Sequence, residues 1–131
     1  MADYSSIHVL VIDDEPAICS SLSAFLEDYG FRASTAESAE EALDLMKNNT
    51  YNVCIVDMRL PGMSGEDLIV QARERYPEQR HIIYTGSISY NLSDKLKELG
   101  LRPEYVFLKP VRVLSLLVKC VKELAPDLSE K

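Results

Sequence analysis

The chain has 131 residues, a length that suits one domain, since domains typically take about 100–200 residues. Apolar residues make up 47% of it, and glycine and proline contribute only 5 and 6 residues, so the composition excludes a disordered or low-complexity chain. The net charge of −7 disfavours contact with nucleic-acid phosphates and with anionic membranes, so we expect neither as a partner of this domain.

Targeting and redox features are both consistent with a cytoplasmic protein. No apolar run approaches the ~18 residues that a membrane span requires, and the N-terminus lacks the basic region that begins a secretory signal. The three cysteines, Cys19, Cys54 and Cys120, are widely spaced among apolar residues and form no CxxC pair. They are typical of small buried hydrophobic residues in a reducing cytoplasm.

Along the chain, short apolar runs alternate with segments of helical periodicity. The apolar runs are rich in β-branched residues, as in strands that are buried on both faces. They predict strands at 7–12, 53–56, 81–84 and 105–108, and a further strand fits residues 31–36.

A helical pattern follows each predicted strand. The first helix begins near Pro16, which suits an initial turn, and ends at Gly30. Its predicted buried face consists of Ile18, Leu22, Phe25 and Tyr29. Ser38 and Ser64 are predicted N-caps of the second and third helices, and Gly100 ends the fourth. The predicted apolar positions of the later helices are Ala39, Ala42, Leu43, Met46; Leu68, Ile69, Ala72, Tyr76; Leu92, Leu96, Leu99; and Leu114, Leu117, Val118, Val121, Leu124.

Five strands alternating with five helices predict an α/β fold. Continuous apolar strands joined by helices form parallel sheets covered on both faces, and their crossovers are right-handed. We therefore expect a doubly wound, five-stranded parallel sheet of order 2-1-3-4-5, the flavodoxin-like architecture. Residues 1–124 are expected to form this single domain, and residues 125–131 a polar tail or the start of a linker.

Polar residues follow four of the five predicted strands. Asp13 and Asp14 end the first strand, Asp57 the third, Thr85 the fourth and Lys109 the fifth. In a parallel sheet these ends lie along one edge, so we expect a shared pocket. Clustered carboxylates repel one another unless a cation is present, and Mg²⁺ prefers oxygen ligands. The pattern predicts an Mg²⁺ site that receives a phosphoryl group.

These motifs resemble those of response-regulator receiver domains, the phosphoacceptors of two-component signalling. The similar segments are Val11-Ile12-Asp13-Asp14-Glu15-Pro16, Val56 to Gly65 around Asp57, Tyr84-Thr85-Gly86 and Leu108-Lys109-Pro110. The resemblance covers residues 7–124 and implies the receiver fold.

The resemblance also implies roles for individual residues. Asp57 would accept a phosphoryl group from the phosphohistidine of a sensor histidine kinase or of a phosphotransfer protein. Mg²⁺ would be bound by Asp14, by Asp57 and by the backbone carbonyl of Arg59, while Asp13 would act largely through water.

Three further residues would contact the Asp57 carboxylate or the phosphoryl group. Lys109 would pair with Asp57 at rest and with a phosphoryl oxygen afterwards. The Thr85 hydroxyl would bond another phosphoryl oxygen, and the small Gly86 would leave its N–H free to reach the phosphate. Two positions, Arg59 and Ser87, would modulate the loss of the phosphoryl group.

Receiver domains act as switches rather than as enzymes on other substrates, and the chain is expected to catalyse only its own phosphorylation and dephosphorylation. A phosphatase of the haloacid-dehalogenase type is disfavoured because Asp57-Met58-Arg59 lacks the second acid of that class. A nucleotide- or flavin-binding module is disfavoured because Asp13-Asp14-Glu15 would repel phosphates. The alternative that stays open is a receiver-like interaction module that is not phosphorylated.

Two regions depart from the pattern. Receivers usually carry an aromatic residue three positions before the strand-five lysine, where this chain has Val106 between Tyr105 and Phe107. This predicts either a loss of the usual aromatic coupling or a bulge in strand five. The last helix has a wide apolar arc, which Val113, Leu116 and Cys120 extend beyond its core face. It is either a well-buried helix or, together with helix four and strand five, a surface for a homodimer or an effector.

Overall fold

A computed structural model of the protein describes residues 4–87, 89–110 and 114–125. Its strands are β1 (His8–Ile12), β2 (Arg32–Ala36), β3 (Val53–Val56), β4 (Arg80–Thr85) and β5 (Val106–Leu108). Its helices are α1 (Pro16–Asp28), α2 (Ala39–Met46), α3 (Gly65–Arg75), α4 (Asp94–Glu98) and α5 (Leu114–Leu124), with a 3₁₀ turn at Pro103–Tyr105.

The five strands form one parallel sheet in the order β2-β1-β3-β4-β5. The predicted α/β architecture and strand order are therefore confirmed. The order reverses direction between β1 and β3, and in such sheets the carboxyl ends of the strands on either side of this point form a crevice. Asp13 and Asp57 follow these two strands directly.

Alternate strand residues pack into two cores, one on each face of the sheet. Leu10, Ile12, Cys54, Val56 and Ile83 face α2, α3 and α4. Val9, Val11, Val53, Ile55 and Ile82 face α1 and α5. Because both faces are covered, β3 is apolar throughout, and β1 and the middle of β4 are mainly apolar, which is the pattern that predicted them.

The predicted helix boundaries rest on local hydrogen bonds. The Ser38 and Ser64 hydroxyls accept the backbone N–H of the third residue of α2 and α3, at 3.0 and 3.1 Å. Such a bond satisfies one of the N–H groups that lack a partner within the helix. Gly30 and Gly100 adopt φ of +99° and +97° after α1 and α4, a conformation that favours glycine.

The predicted face of α1 was partly wrong. Its buried residues are Cys19, Leu22 and Leu26, whereas Tyr29 is exposed. The helix is turned by about one position, because Cys19 packs beneath the end of β1 and donates its S–H to the Asp13 carbonyl, at 3.2 Å. Helix α4 is shorter than predicted and excludes Leu92 and Leu99, although both pack against the core.

Strand β5 is also shorter than predicted, because Tyr105 belongs to the preceding 3₁₀ turn. Pairing with β4 runs without interruption from Ile83–Val106 to Thr85–Leu108, so β5 contains no bulge. Val106 faces the side of α2, α3 and α4, while Tyr105 and Phe107 pack on the opposite face of the sheet.

The apolar arc of α5 divides into a buried part and an exposed part. Cys120 is buried with the core stripe of Leu117, Val118 and Val121, but Leu116 is 54% exposed. Val113 lies outside the residues that the structure describes. Ala125 is buried, and the remainder of the predicted tail, 126–131, also lies outside them. Within the described ranges, no helix is long and apolar enough to cross a membrane.

Candidate functional site

Three carboxylates meet at the carboxyl edge of the sheet. Asp13, Asp14 and Asp57 each offer one oxygen atom, and these atoms lie within 4.8 Å of one another. Asp13 is 1% exposed and Asp57 is 4% exposed, whereas Asp14 is open to solvent. The structure therefore brings together the acidic residues that the sequence predicted.

The sheet itself sets the positions of the two buried carboxylates. The Asp13 N–H donates to the Ala36 carbonyl, and the Asp57 N–H donates to the Ile12 carbonyl, at 3.1 and 2.9 Å. These bonds continue the strand ladders by one residue. Each side chain is also anchored, since Asp13 Oδ1 accepts the Glu15 N–H at 2.9 Å and Asp57 Oδ1 accepts the Arg59 N–H at 3.1 Å.

Lys109 links the two buried carboxylates. Its Nζ lies 2.5 Å from Asp13 Oδ2 and 3.3 Å from Asp57 Oδ2. The implied contact with Asp57 is present, but Asp13 is the closer partner. The Lys109 N–H donates to the Thr85 carbonyl at 2.8 Å, so pairing of the polypeptide with β4 fixes where the lysine leaves the sheet.

The surroundings of Lys109 keep its ammonium group charged. Burial by itself lowers the pKa of Lys109, but the hydrogen bond to Asp13 and the charges of Asp57 and Asp13 outweigh it, and the net pKa is raised. One cation therefore offsets part of the charge of three carboxylates.

Thr85 lies buried at the end of β4, at the same edge of the sheet. Its Oγ1 accepts the backbone N–H of Ser87 at 3.2 Å. Gly86 is exposed, and a Cβ atom added to it would meet no atom within 4 Å. Packing therefore does not require glycine at this position in the structure. The Arg59 side chain is exposed, and Ser87 is half-buried.

Two residues near the site were missed as site neighbours in the sequence. A Cβ atom on Gly65 would lie 2.5 Å from the Asp57 carbonyl oxygen and 2.9 Å from Met58 Cα, so only glycine permits α3 to start so close to Asp57. The second residue is Cys19, whose S–H donates to the Asp13 carbonyl. Burial and the charge of Asp13 raise the pKa of the Cys19 thiol, so the thiol remains a neutral donor. The sequence shows Gly65 in this loop, but it does not show that Gly65 lies against the Asp57 carbonyl.

The donor set fits a hard divalent cation. The three carboxylates supply oxygen ligands only, and one of them, Asp14, faces solvent. Mg²⁺ is commonly held by one or two carboxylates while it retains several waters, which an open-sided cluster of this kind permits.

A family model for the response regulator receiver domain matches residues 9–121 of the chain. Among curated proteins, the chain is 38% identical over 78 residues to the alginate biosynthesis transcriptional regulatory protein AlgB of Pseudomonas syringae pv. tomato. That match covers 60% of the chain and 17% of AlgB. The cell cycle response regulator CtrA of Brucella ovis is 30% identical over 104 residues, covering 79% of the chain and 44% of CtrA. The chain thus spans less than half the length of these relatives.

Solved structures of response regulators are also similar to this chain. The response regulator TrrA from Thermotoga maritima, in complex with Mg²⁺–BeF, matches with a TM-score of 0.77 and 29% identity, over 90% of this chain and 98% of that one. TrrA in complex with the histidine kinase ThkA matches with a TM-score of 0.75 and 29% identity, over 90% and 97% of the two chains. With its sheet order, its acidic edge and a family match over most of its length, the chain belongs to the response-regulator receiver domains.

Proposed function

We propose that this receiver domain accepts a phosphoryl group on Asp57 and changes conformation in response. The observation that carries the proposal is the buried Asp57 carboxylate, which has Lys109 Nζ 3.3 Å away and two further carboxylates beside it. Asp57 Oδ1 is held by the Arg59 N–H, and Oδ2 faces the lysine. This places a weak nucleophile in a fixed orientation, which is the main means by which phosphoryl transfer is accelerated.

In the proposed reaction an Asp57 carboxylate oxygen attacks the phosphorus of a phosphohistidine on the donor protein. The new O–P bond forms as the N–P bond breaks, and the histidine nitrogen leaves with the electron pair. The product is an aspartyl phosphate, with up to two added negative charges and three strong acceptor oxygens. Lys109 is then in reach of a phosphoryl oxygen, and the Thr85 hydroxyl and the Gly86 N–H serve as further donors.

Asp13, Asp14, Asp57 and the Arg59 carbonyl would hold Mg²⁺. When bound, the ion neutralises the charge that gathers between the carboxylates and the incoming phosphoryl oxygens. The acidic cluster supports this assignment, as does the Mg²⁺–BeF complex of the similar protein TrrA.

The proposed partner is a sensor histidine kinase or a phosphotransfer protein, and the complex of TrrA with ThkA supports this class. We further propose that the surface of α4, β5 and α5 contacts an effector or a second copy, because Leu108 and Leu116 are 45% and 54% exposed there. A cytoplasmic location is proposed, consistent with three free, buried thiols. The same proposal makes the domain a switch that acts on no substrate other than itself.

Intact mass after incubation with acetyl phosphate and Mg²⁺ tests the proposal. We expect one labile phosphoryl group on the native protein and none on Asp57→Asn. Asp14→Asn should retain the acceptor but label more slowly and require more Mg²⁺. No adduct on the native protein would instead favour an interaction module that is not phosphorylated, and continuous release of phosphate over many turnovers would favour a phosphatase.

A further inference from the structure

Tyr90 lies in the loop between β4 and α4 and lines two separate cavities. One, of about 430 Å³, lies above the carboxyl edge and includes Arg59, Thr85 and Ser87. The other, of about 340 Å³, lies between this loop and β5 and includes Val106, Leu108 and Lys97. We call the second the β5 cavity. Tyr90 therefore lines both the cavity above the carboxyl edge and the β5 cavity.

The Tyr90 hydroxyl is poorly accommodated where it lies. It is buried, and it has no hydrogen-bond partner among the residues that the structure describes. Burial and the nearby charge of Glu66 raise the pKa of Tyr90, so the group remains a protonated donor without an acceptor. A buried donor without a partner favours any alternative position that supplies one.

Hydrogen bonds connect Tyr90 to the proposed phosphorylation site. Thr85 Oγ1 accepts the Ser87 N–H at 3.2 Å, and the Ser87 carbonyl accepts the Tyr90 N–H at 3.3 Å. A displacement of the Thr85 hydroxyl toward a phosphoryl oxygen would therefore act first on Ser87 and then on Tyr90. The connection runs through neighbouring residues of one loop and needs no long pathway.

The β5 cavity suits the phenol group. Its walls include apolar Val106 and Leu108 as well as polar Asn91 and Lys97, which matches an aromatic ring that carries one hydroxyl. Val106, a small residue, lines this cavity and packs against the same core as Tyr90. Tyr105 and Phe107 face the opposite side, so neither ring occupies the β5 cavity.

From these observations we propose that Tyr90 moves into the β5 cavity when Asp57 is phosphorylated. Tyr90 would then be a positioning residue that couples phosphorylation of Asp57 to a change of the surface at β5. This inference rests on the proposed function. The movement would cover Val106 and Leu108 and would give the hydroxyl polar neighbours.

Fluorine NMR of the protein labelled with 3-fluorotyrosine tests the movement, with Mg²⁺ and beryllofluoride as the phosphoryl analogue. The chain has 7 tyrosines, and the resonances of Tyr90 and Tyr105 are assigned by their loss in Tyr90→Phe and Tyr105→Phe. We expect the Tyr90 resonance to shift when the analogue binds and the Tyr105 resonance to stay in place. Tyr105 is the matched control because it is a half-buried tyrosine next to β5 on the other face of the sheet.

Three variants separate movement into the β5 cavity from a general disturbance of the loop. Val106→Tyr fills the β5 cavity, so the Tyr90 resonance should no longer shift although the analogue still binds. Tyr90→Ala should abolish the shift of the Leu108 backbone amide on activation. Tyr90→Phe keeps the ring but lacks the hydroxyl that favours the movement, so it should reduce this shift without abolishing it.

Binding of the analogue at the site is measured independently, from the resonances of the Asp57 and Thr85 amides. Phosphorylation is measured from the mass of the protein after incubation with acetyl phosphate. If these respond while the Tyr90 resonance does not, the role of Tyr90 is overturned and the proposed function stands. An unchanged shift in Val106→Tyr likewise overturns movement into the cavity. If neither the amides nor the mass respond, the proposed function fails, and this inference fails with it.

Discussion

Lys109 is held between two buried carboxylates rather than paired with one. The contact with Asp13 is 2.5 Å and that with Asp57 is 3.3 Å, so breaking the longer contact leaves the lysine with a partner. A lysine placed in this way can exchange Asp57 for a phosphoryl oxygen without becoming an unpaired buried charge. This matters because leaving a buried charge unpaired costs several kcal/mol.

The backbone and the side chain of Arg59 have different roles at the site. Its N–H donates to Asp57 Oδ1, while Arg59 is exposed and lines the cavity above the carboxyl edge. We expect Arg59→Ala to speed the loss of the phosphoryl group by a factor of roughly two to ten, or about 0.4–1.4 kcal/mol in the barrier, because less of the approach of water is covered.

Decay of the aspartyl phosphate, followed by intact mass, measures this effect, with Arg59→Asn as a second variant. Stability should change by no more than about 0.5 kcal/mol, since the side chain is exposed. Unchanged decay in both variants would show that Arg59 does not modulate the reaction.

Gly65 is expected to be intolerant of a methyl group. A Cβ atom there would clash with the Asp57 carbonyl, so Gly65→Ala should lower the free energy of unfolding by about 1–3 kcal/mol, the usual cost of overpacking. It should also slow labelling by acetyl phosphate, because α3 or Asp57 must shift. Urea unfolding checks the first effect. Gly86→Ala is the stability control, since its methyl group meets open space, and an equal loss in both variants would refute the steric argument.

At the scale of the elements, helix N-termini and strand ends place the site. Ser64 caps α3, and α3 begins against the Asp57 carbonyl, so the local cap and the acceptor are built from one short loop. Strand β5 is only three residues long, and it places Lys109 through its pairing with β4. These elements are short, and the site depends on their pairing more than on their length.

Helix α5 exposes one large apolar side chain among its described residues. Leu116 is 54% exposed on a helix whose other described apolar residues are buried or half-buried. If this face binds a second copy, the phosphorylated domain should sediment as a dimer, and Leu116→Ser should return it to a monomer without loss of stability. Sedimentation velocity with and without acetyl phosphate measures this. A strict monomer in both states would exclude the dimer and leave an effector as the proposed partner.

At the scale of the whole molecule, His81 makes stability depend on pH. It is 2% exposed in β4, and burial, together with the charges of Arg73 and Arg80, lowers its pKa to about 3. The unfolded chain binds a proton near the ordinary pKa of 6.5 and the folded chain does not. The contribution of His81 to stability is therefore complete above pH 6.5 and falls as the pH is lowered from 6.5 toward 3.

We expect the native protein to lose on the order of 1 kcal/mol more than His81→Gln between pH 7.5 and 5.5. Urea unfolding at the two pH values measures the difference. His8, whose pKa burial also lowers, is present in both proteins and cancels in the comparison. Equal losses in the two proteins would mean that His81 is protonated in the folded state.

Much of the fold could be predicted because the information was local or periodic. The apolar runs in β1, β3 and β4, the capping serines Ser38 and Ser64 and the glycines that end the helices each depend on only a few neighbouring residues. The predicted face of α1 was partly wrong because Cys19 and Leu26 fit the same periodicity as Phe25 and Tyr29. Periodicity alone does not say which of two neighbouring stripes meets the sheet.

Motifs and periodicity were enough to predict the parallel architecture and the strand order. They also predicted that Asp13, Asp14, Asp57, Thr85 and Lys109 meet at one edge, because the strand ends of a doubly wound sheet converge by topology. Packing established which oxygens Lys109 contacts and that Gly65 must lack a side chain. It also established that Tyr90 and Val106 line one cavity and that the buried Tyr90 hydroxyl has no partner within the part of the chain that the structure describes. These are contacts between separate loops and helices. They depend on distances of a few ångströms, which packing sets and residue order does not.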